Sequence, residues 1–410
     1  MSSRGSLSSV RGVGGGRGNV GGVVRRNDGS GGQGGRGGQG GRGGQGGRGG
    51  QGGRGGQGGR GRGRWIRPSQ QNRRNITEWD TFTPENEVIS SDSPEKEYTS
   101  KSSEVRRSVH IGQRKLAMAI IQFLTYHWDK DQVPNPKLVY VGAASGQNIE
   151  FVMKNMFPDF ECHLYDPREI VVTQTDKMIT YRQFFTKDDA YKWSGRNDVF
   201  LIIDLRSMKD KTTKTGYVTE KQISEDMLFQ QEIYEIIQPV KAQLKFRLPY
   251  YLPGKTQLYF EYLYGLVYLG IWPGQSSTEC RLIPMKTSNG DIKISWDTVK
   301  QENQMFYHNS VVREQINFRN PFYEPSDPQS MTPVDGEELN NDYDSIAETF
   351  LLRDYLTKVG GEEFATQDNV IGLSRSLTDF LAGDRIQDAL TLADFHRNPH
   401  VLKQRYSKSR

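Results

Sequence analysis

The chain has 410 residues and only two cysteines, Cys162 and Cys280, which excludes a disulfide framework or a four-cysteine metal site and fits a reducing compartment. Its net charge of +5 conceals two unlike parts: residues 1–75 hold 15 Arg and one acid, Asp28, whereas the rest holds 39 basic and 48 acidic residues. A basic arm on a mildly acidic body points to an arm that meets a polyanion while the body does other work. No apolar stretch approaches the roughly 18–20 residues that span a bilayer, and the N-terminus lacks the apolar core of a secretory signal. A soluble intracellular protein with no membrane partner is expected.

From Gly31 to about Arg60 the unit GGQGGR repeats. Glycine maximises the entropy cost of ordering, and Gln and Arg offer little to bury, so residues 1–75 are expected to be a disordered Gly/Arg-rich arm. Arg36, Arg42, Arg48, Arg54, Arg60, Arg62 and Arg64 would meet RNA phosphates or stack on bases; a solvated spacer is the plainer alternative. Residues 76–107 read as a polar linker, mostly irregular. An ordered domain is expected over 108–385. A basic tail, 386–410, follows; in it His396 and His400 stand four apart, with Pro399 opposing a helix between them.

The ordered region opens with GQRKLAMAIIQFLTYHW (112–128), apolar at helical spacing. KLVYVG (137–142) is a predicted strand, and QNIEFVMKNMF (147–157) a helix with Ile149, Val152, Met153 and Met156 inward. FECHLYD (160–166) is the next strand. VFLIIDLRS (199–207) is continuously apolar at its start, the sign of a strand buried on both faces. Between them Phe184 and Phe185 precede an acidic-aromatic helix. EDMLFQQEIYEIIQPV (225–240) predicts another helix and AQLKFRLPY (242–250) a strand, and 259–272 is expected to continue the sheet. Helical patterns return at 299–313, 343–358 and 370–383. Strands alternating with helices predict an α/β fold: a mostly parallel sheet with helices on both faces.

The turn VGAASGQN, where strand 137–142 gives way to a helix, is the first βα turn of a nucleotide-binding sheet. Gly142 and Gly146 would let the backbone approach a ligand without a Cβ collision. The turn lacks both G-x-G-x-x-G and the Gly-Lys-Ser/Thr of a phosphate loop, so a pyrophosphate is disfavoured. Asp166 stands 20 residues after Gly146, at the end of the second strand, where a carboxylate can bond two ribose hydroxyls; a helix cap or surface acid is the alternative. Arg168 follows and would lie along an adenine face. A nucleoside without a pyrophosphate describes S-adenosylmethionine better than NAD. Four further charges stand in unusual places. Asp204 ends the apolar strand, Lys245 lies inside AQLKFRLPY, Lys115 opens the first helix, and Glu279 lies in SSTECRLIP. Each alone reads as a rim charge or local ion pair, but a carboxylate ending a buried strand is costly unless paired or used.

With these residues the sequence resembles the poxvirus-type cap-specific mRNA 2′-O-methyltransferases, which double as the regulatory subunit of a viral poly(A) polymerase. The similarity is carried by GQRK (112–115), VYVGAASG (139–146), YDPR (165–168), NDVFLIIDLRS (197–207), LKFRLPY (244–250), TECRLI (278–283) and VKQENQMFYHNSVVR (299–313). It runs over about 108–313, more weakly to about 383, and leaves the arginine–glycine arm outside. The resemblance implies a Rossmann-like S-adenosylmethionine-dependent methyltransferase. Gln113, Tyr140, Gly142, Gly146, Asp166, Arg168 and Phe185 would line the cofactor pocket, with Asp204 near the sulfonium. Lys245 would act as base, or as organiser of the ribose 2′-hydroxyl, with Lys115, Asp204 and Glu279 around it.

For the cap, the resemblance implies that 7-methylguanine sits between two aromatic rings, with Tyr250 as one and Tyr98 as the other, and Glu302 reading its edge. Arg247 would contact the RNA backbone. The chain departs from the family at Leu252, where a second edge-reading acid is expected, and at Ser145, which replaces a proline. The implied partners are capped mRNA and a poly(A) polymerase catalytic subunit in a heterodimer. Host cytoplasm and virions are the implied locations, and no metal is expected. The alternatives are a non-enzymatic RNA-binding processivity subunit with a vestigial site and a nicotinamide-dependent oxidoreductase, the latter disfavoured by the incomplete dinucleotide fingerprint.

Overall fold

The computed structural model describes residues 78–99, 109–206, 218–274, 276–322 and 341–382. The arginine–glycine arm and the basic tail, with His396 and His400, lie outside the described residues. In chain order the strands are β1 (Glu78–Asp80), β2 (Val88–Ile89), β3 (Lys137–Val141), β4 (Glu161–Tyr165), β5 (Met178–Tyr181), β6 (Val199–Ile203), β7 (Lys241–Phe246), β8 (Tyr259–Leu263), β9 (Gly265–Tyr268), β10 (Cys280–Pro284), β11 (Lys293–Asp297) and β12 (Ile316–Phe318). The helices are α1 (Val109–His127), α2 (Gln147–Asn155), α3 (Lys187–Trp193), α4 (Glu220–Ile237), α5 (Thr298–Tyr307), α6 (Tyr343–Gly360) and α7 (Gln367–Ala382). Helix α5 runs on through a π-helical turn, His308–Val312, into a last turn at Arg313–Gln315.

Eight strands form one sheet in the order β2-β9-β10-β7-β6-β3-β4-β5. The run β7-β6-β3-β4-β5 is parallel, and β10, β9 and β2 add antiparallel strands beside β7. This is the mostly parallel Rossmann-like sheet expected. Its centre follows from composition: all five residues of β6 are buried, and four of five in β3 and β4. In α2 Ile149, Val152 and Met153 turn inward, as does Met156 just after it. The chain order reverses between β3 and β6, and a crevice at the carboxyl ends of such neighbouring strands is where open α/β sheets hold ligands.

Two expectations need correction. Residues 259–272 do not simply continue the sheet, since β8 pairs with β11 in a separate two-stranded ribbon and only β9 joins the main sheet. At Gly265, the first residue of β9, a Cβ would lie 2.1 Å from the Ile283 carbonyl oxygen, so the backbones approach there as only glycine allows. The stretch expected to be irregular linker is also partly built into the fold. Strand β1 pairs with β12 and β2 with β9, and Phe82 is buried against Phe318, Tyr343 and Phe350. Residues 78–99 are a strap across the domain.

The strap is anchored by Glu87, which is buried and accepts hydrogen bonds from Gln122 Nε2 (2.9 Å) and Tyr126 Oη (3.2 Å). The Tyr126 hydroxyl also lies 3.1 Å from Asp354 Oδ2, so one proton serves two carboxylates. Burial, with Asp354 nearby, pushes the Glu87 carboxyl up to about 7 despite the two hydrogen bonds. Relative to the ordinary 4.5, folding binds this proton more tightly. The contribution of Glu87 to stability is therefore fully present below about 4.5 and is lost as pH rises through about 7. Glu87→Gln keeps the acceptor and lets its amide donate to the Tyr126 oxygen. We expect it to stabilise the protein by roughly 1–3 kcal/mol at pH 8 and by little at pH 5. Thermal melts of both proteins across this range measure the difference; equal pH slopes would refute the buried neutral acid.

Candidate active site

Four elements bring five charges together at the carboxyl end of the sheet. Lys115 comes from α1, Asp204 follows β6, Lys245 lies in β7, and Glu279 and Arg281 flank Cys280 at the start of β10. Lys245 Nζ is 2.8 Å from Asp204 Oδ1 and 3.1 Å from Glu279 Oε2, and Lys115 Nζ is 2.7 Å from Glu279 Oε1. The four residues singled out in the sequence therefore meet.

Arg281 was not singled out, and it completes the group. Its guanidinium contacts Glu279 Oε1 at 3.0 Å and Asp204 Oδ1 at 3.3 Å. In the β7–β10 register Arg281 stands directly opposite Lys245. Two cations facing each other across a ladder repel, and here the two carboxylates lie between them. The signal was present in TECRLI: residues two apart on a strand share a face, so a strand placing Glu279 in the site places Arg281 there too. Burial alone would raise both acids, but Lys245, Arg281 and Lys115 outweigh it. Asp204 is held below the ordinary carboxylate range and Glu279 well below it. Burial opposes the charge on Arg281, and Asp204 and Glu279 push its pKa up in spite of that. Three cations of this group face two acids, and Arg206 lies close enough to feel both acids, so the site carries a positive surplus that suits an anionic substrate.

Lys115 owes its position to its neighbour. Arg114 is buried and forks Glu348 of α6, bonding also Thr378 and Ser374 of α7. Trp272 Nε1 donates to the same carboxylate at 2.6 Å. The anchored Arg114 clamps α1 against α6 and α7, and Lys115, one residue on, turns toward Glu279.

Comparison with known proteins places the chain. The family model described as "Poly A polymerase regulatory subunit" matches residues 86–383. The chain belongs to this poly(A) polymerase regulatory subunit family. Two similar curated relatives are both named cap-specific mRNA (nucleoside-2′-O-)-methyltransferase. The one from fowlpox virus (strain NVSL) is 24% identical over 310 residues, 72% of this chain and 92% of the relative. The one from myxoma virus (strain Lausanne) is 26% identical over 244 residues, 55% of this chain and 68% of the relative. Among solved structures, a study titled as showing bluetongue virus VP4 to be a multifunctional RNA-capping production line matches at 14% identity and TM-score 0.32. That match covers 57% of this chain and 39% of the other.

In this family member the glycine turn is held by neighbouring backbone. Gly142 and Ala143 N–H donate to the Tyr165 carbonyl at 2.8 and 3.1 Å, and Asp204 N–H donates to Val141 at 2.9 Å. Gly142 has φ +87°, and a Cβ there would lie 2.7 Å from the Asp204 carbonyl oxygen; at Gly146, φ +92°, it would meet Ile170 and Val172 at 2.8 Å. The glycines thus serve packing as well as ligand approach. Gly142→Ala is expected to cost roughly 2–4 kcal/mol, from left-handed strain plus displacement of Asp204. Gly195→Ala, at φ +72° with open space around it, carries only the strain. Urea unfolding of both variants separates the terms, and equal losses would show that the close approach costs nothing.

The remaining sequence candidates fall into two groups. Around the turn, Asp166 is buried and accepts from Ala144 N–H at 3.1 Å, while Arg168 forks its two oxygens at 2.9 Å each from a largely exposed position. Burial would raise Asp166, and these bonds bring it below its ordinary range. Tyr140 is buried in β3 within the field of Asp204 and Arg281. Phe185 packs edge-on against Tyr165 at 4.8 Å, and Gln113 Oε1 is buried with no hydrogen-bond partner. The second group lies around α5. Tyr98 meets Phe306 edge-on at 5.3 Å and its N–H donates to Asn303, next to Glu302. Burial pushes Glu302 up, against the pull of Arg247. Arg247 stacks its guanidinium 3.9 Å from the Tyr250 ring centre and forks Glu220. Among the described residues no cluster of three or more His, Cys, Asp or Glu is arranged to hold a metal ion, and no helix is long and apolar enough to cross a membrane.

Proposed function

We propose that this protein transfers a methyl group from S-adenosylmethionine to the ribose 2′-hydroxyl of the first transcribed nucleotide of capped mRNA, and that it serves a poly(A) polymerase catalytic subunit as its regulatory partner in a heterodimer. The observation that carries the first part is Lys245 held between Asp204 and Glu279 beside the glycine turn. The names of the fowlpox and myxoma relatives support it, and the family supports the second part.

The residues around the turn fit the cofactor. Asp166 offers a carboxylate to ribose hydroxyls, Gln113 Oε1 is a buried acceptor in want of a donor, and the turn between Gly142 and Gly146 carries only the small side chains of Ala143, Ala144 and Ser145. Bound there, S-adenosylmethionine would supply an electrophilic methyl group on a sulfonium sulfur. Lys245 has two roles open to it, accepting the 2′-hydroxyl proton or orienting its oxygen. In the first role Nζ enters as the free amine and takes the proton; in the second it stays protonated and the 2′-hydroxyl proton leaves to solvent. The two ion pairs fix Nζ so that its remaining N–H can direct the 2′-oxygen, and alignment of that kind contributes much of the acceleration in displacement reactions.

The test is incorporation of labelled methyl from S-adenosylmethionine into short capped RNA. Methylation at the 2′-oxygen blocks alkaline cleavage of the adjoining phosphodiester, so the label should stay in the alkali-resistant fragment that carries the cap and the first two nucleotides. Label found on a base rejects the 2′-oxygen as acceptor; label that is absent rejects the reading and leaves the non-enzymatic RNA-binding subunit.

A further inference from the structure

The cap-reading ring carries more attachments than a sheet aromatic needs. Tyr250 N–H donates to Glu220 Oε2 at 2.8 Å, its carbonyl accepts from Thr256 Oγ1 at 2.7 Å, and its hydroxyl lies 2.9 Å from Thr278 Oγ1. One face of the ring is covered by Arg247. Arg247 is held there by a fork onto Glu220, with both N–O distances 2.9 Å. Glu220 is the first residue of α4, capped by Thr219, so its backbone is fixed by the helix start. A planar cation on a tyrosine face is the arrangement a 7-methylguanine would adopt, and Arg247 already takes one of the two faces.

We infer that Glu220 is a positioning residue for cap recognition: by pinning Arg247 to one face of Tyr250, it reserves the other face for the methylated base. The inference rests on the proposed capped-mRNA substrate and on Tyr250 as the ring that stacks on its cap. Without the Glu220 fork the guanidinium is no longer held to its own face and can cross to the one the base would use.

The experiment measures the ratio of dissociation constants for guanosine diphosphate and 7-methylguanosine diphosphate, in wild type, Glu220→Gln and Glu220→Asp. Both ligands bind the same folded population, so partial unfolding of a variant leaves the ratio unchanged. Wild type should prefer the methylated ligand, and Glu220→Gln should reduce the preference by about 5- to 20-fold, the range of one cation–π contact and one charged hydrogen bond. Glu220→Asp, which keeps the charge, should retain most of it. A wild-type ratio near one would reject the cap reading itself. A normal wild-type preference that survives in Glu220→Gln would reject only the role of Glu220. A preference that grows in Glu220→Gln would reverse the inference, making Arg247 a competitor that the base must displace.

Discussion

Replacing Lys245 by Ala is expected to lower kcat for methyl transfer by about 10²–10⁴-fold, the range that a positioned polar group contributes, with little change in S-adenosylmethionine affinity. The protein should still fold. Wild type places three cations around two partly buried acids, so removing Lys245 leaves Lys115 and Arg281 to balance Asp204 and Glu279. Neither acid is stranded as an unpaired buried charge, which is the usual cause of severe destabilisation. The loss falls on chemistry because Nζ is the group fixed by both carboxylates. Single-turnover kinetics with calorimetry of cofactor binding measure the two quantities separately. A variant that transfers methyl within about threefold of wild type would remove Lys245 from the reaction. One that loses cofactor binding in the same proportion would assign it to the cofactor.

How much of this was readable in the chain depended on whether the interaction was local. The parallel sheet was legible because VFLII is apolar throughout and KLVYV is so after its first residue, the pattern of strands covered on both faces. Lys115, Asp204, Lys245 and Glu279 each stand in an unusual place for a charge, but it was the family resemblance that joined them as a set. Arg281 was passed over beside Glu279, although strand alternation places both on one face. The strap was not legible. Its strands are two and three residues long in polar sequence, and they order only against β9 and β12, which come much later in the chain. The pairing of Arg247 with Glu220 and the clamp of Arg114 on Glu348 likewise join residues far apart in sequence. Periodicity carries no trace of such contacts. Arg168 shows the converse: its fork onto Asp166, two residues away, is local, and it was passed over.

Arg281→Met should be the most damaging single change at this site, abolishing methyl transfer and lowering stability by about 3–5 kcal/mol. The count of charges after this change is the same as after Lys245→Ala, so the difference must come from geometry. Arg281 bridges Asp204 and Glu279 with two separate nitrogens from a buried position, whereas Lys115 reaches only Glu279 and is more exposed. Without Arg281, Asp204 keeps Lys245 alone, and Lys245 must serve both acids. Arg281→Lys should not rescue activity, because one ammonium cannot reproduce a planar fork that spans two carboxylates. The pH dependence gives an independent check. Asp204 and Glu279 are held below their ordinary values in the folded protein, so their contribution to stability is present above the unfolded pKa and lost as pH falls through the folded one. Removing Arg281 weakens that depression, so the gain in stability from pH 3 to pH 6 should be smaller in Arg281→Met than in wild type. Urea unfolding at a series of pH values reads this slope directly. An unchanged slope would mean that Lys115 and Lys245 alone hold the two acids, and that Arg281 only fills space between β7 and β10.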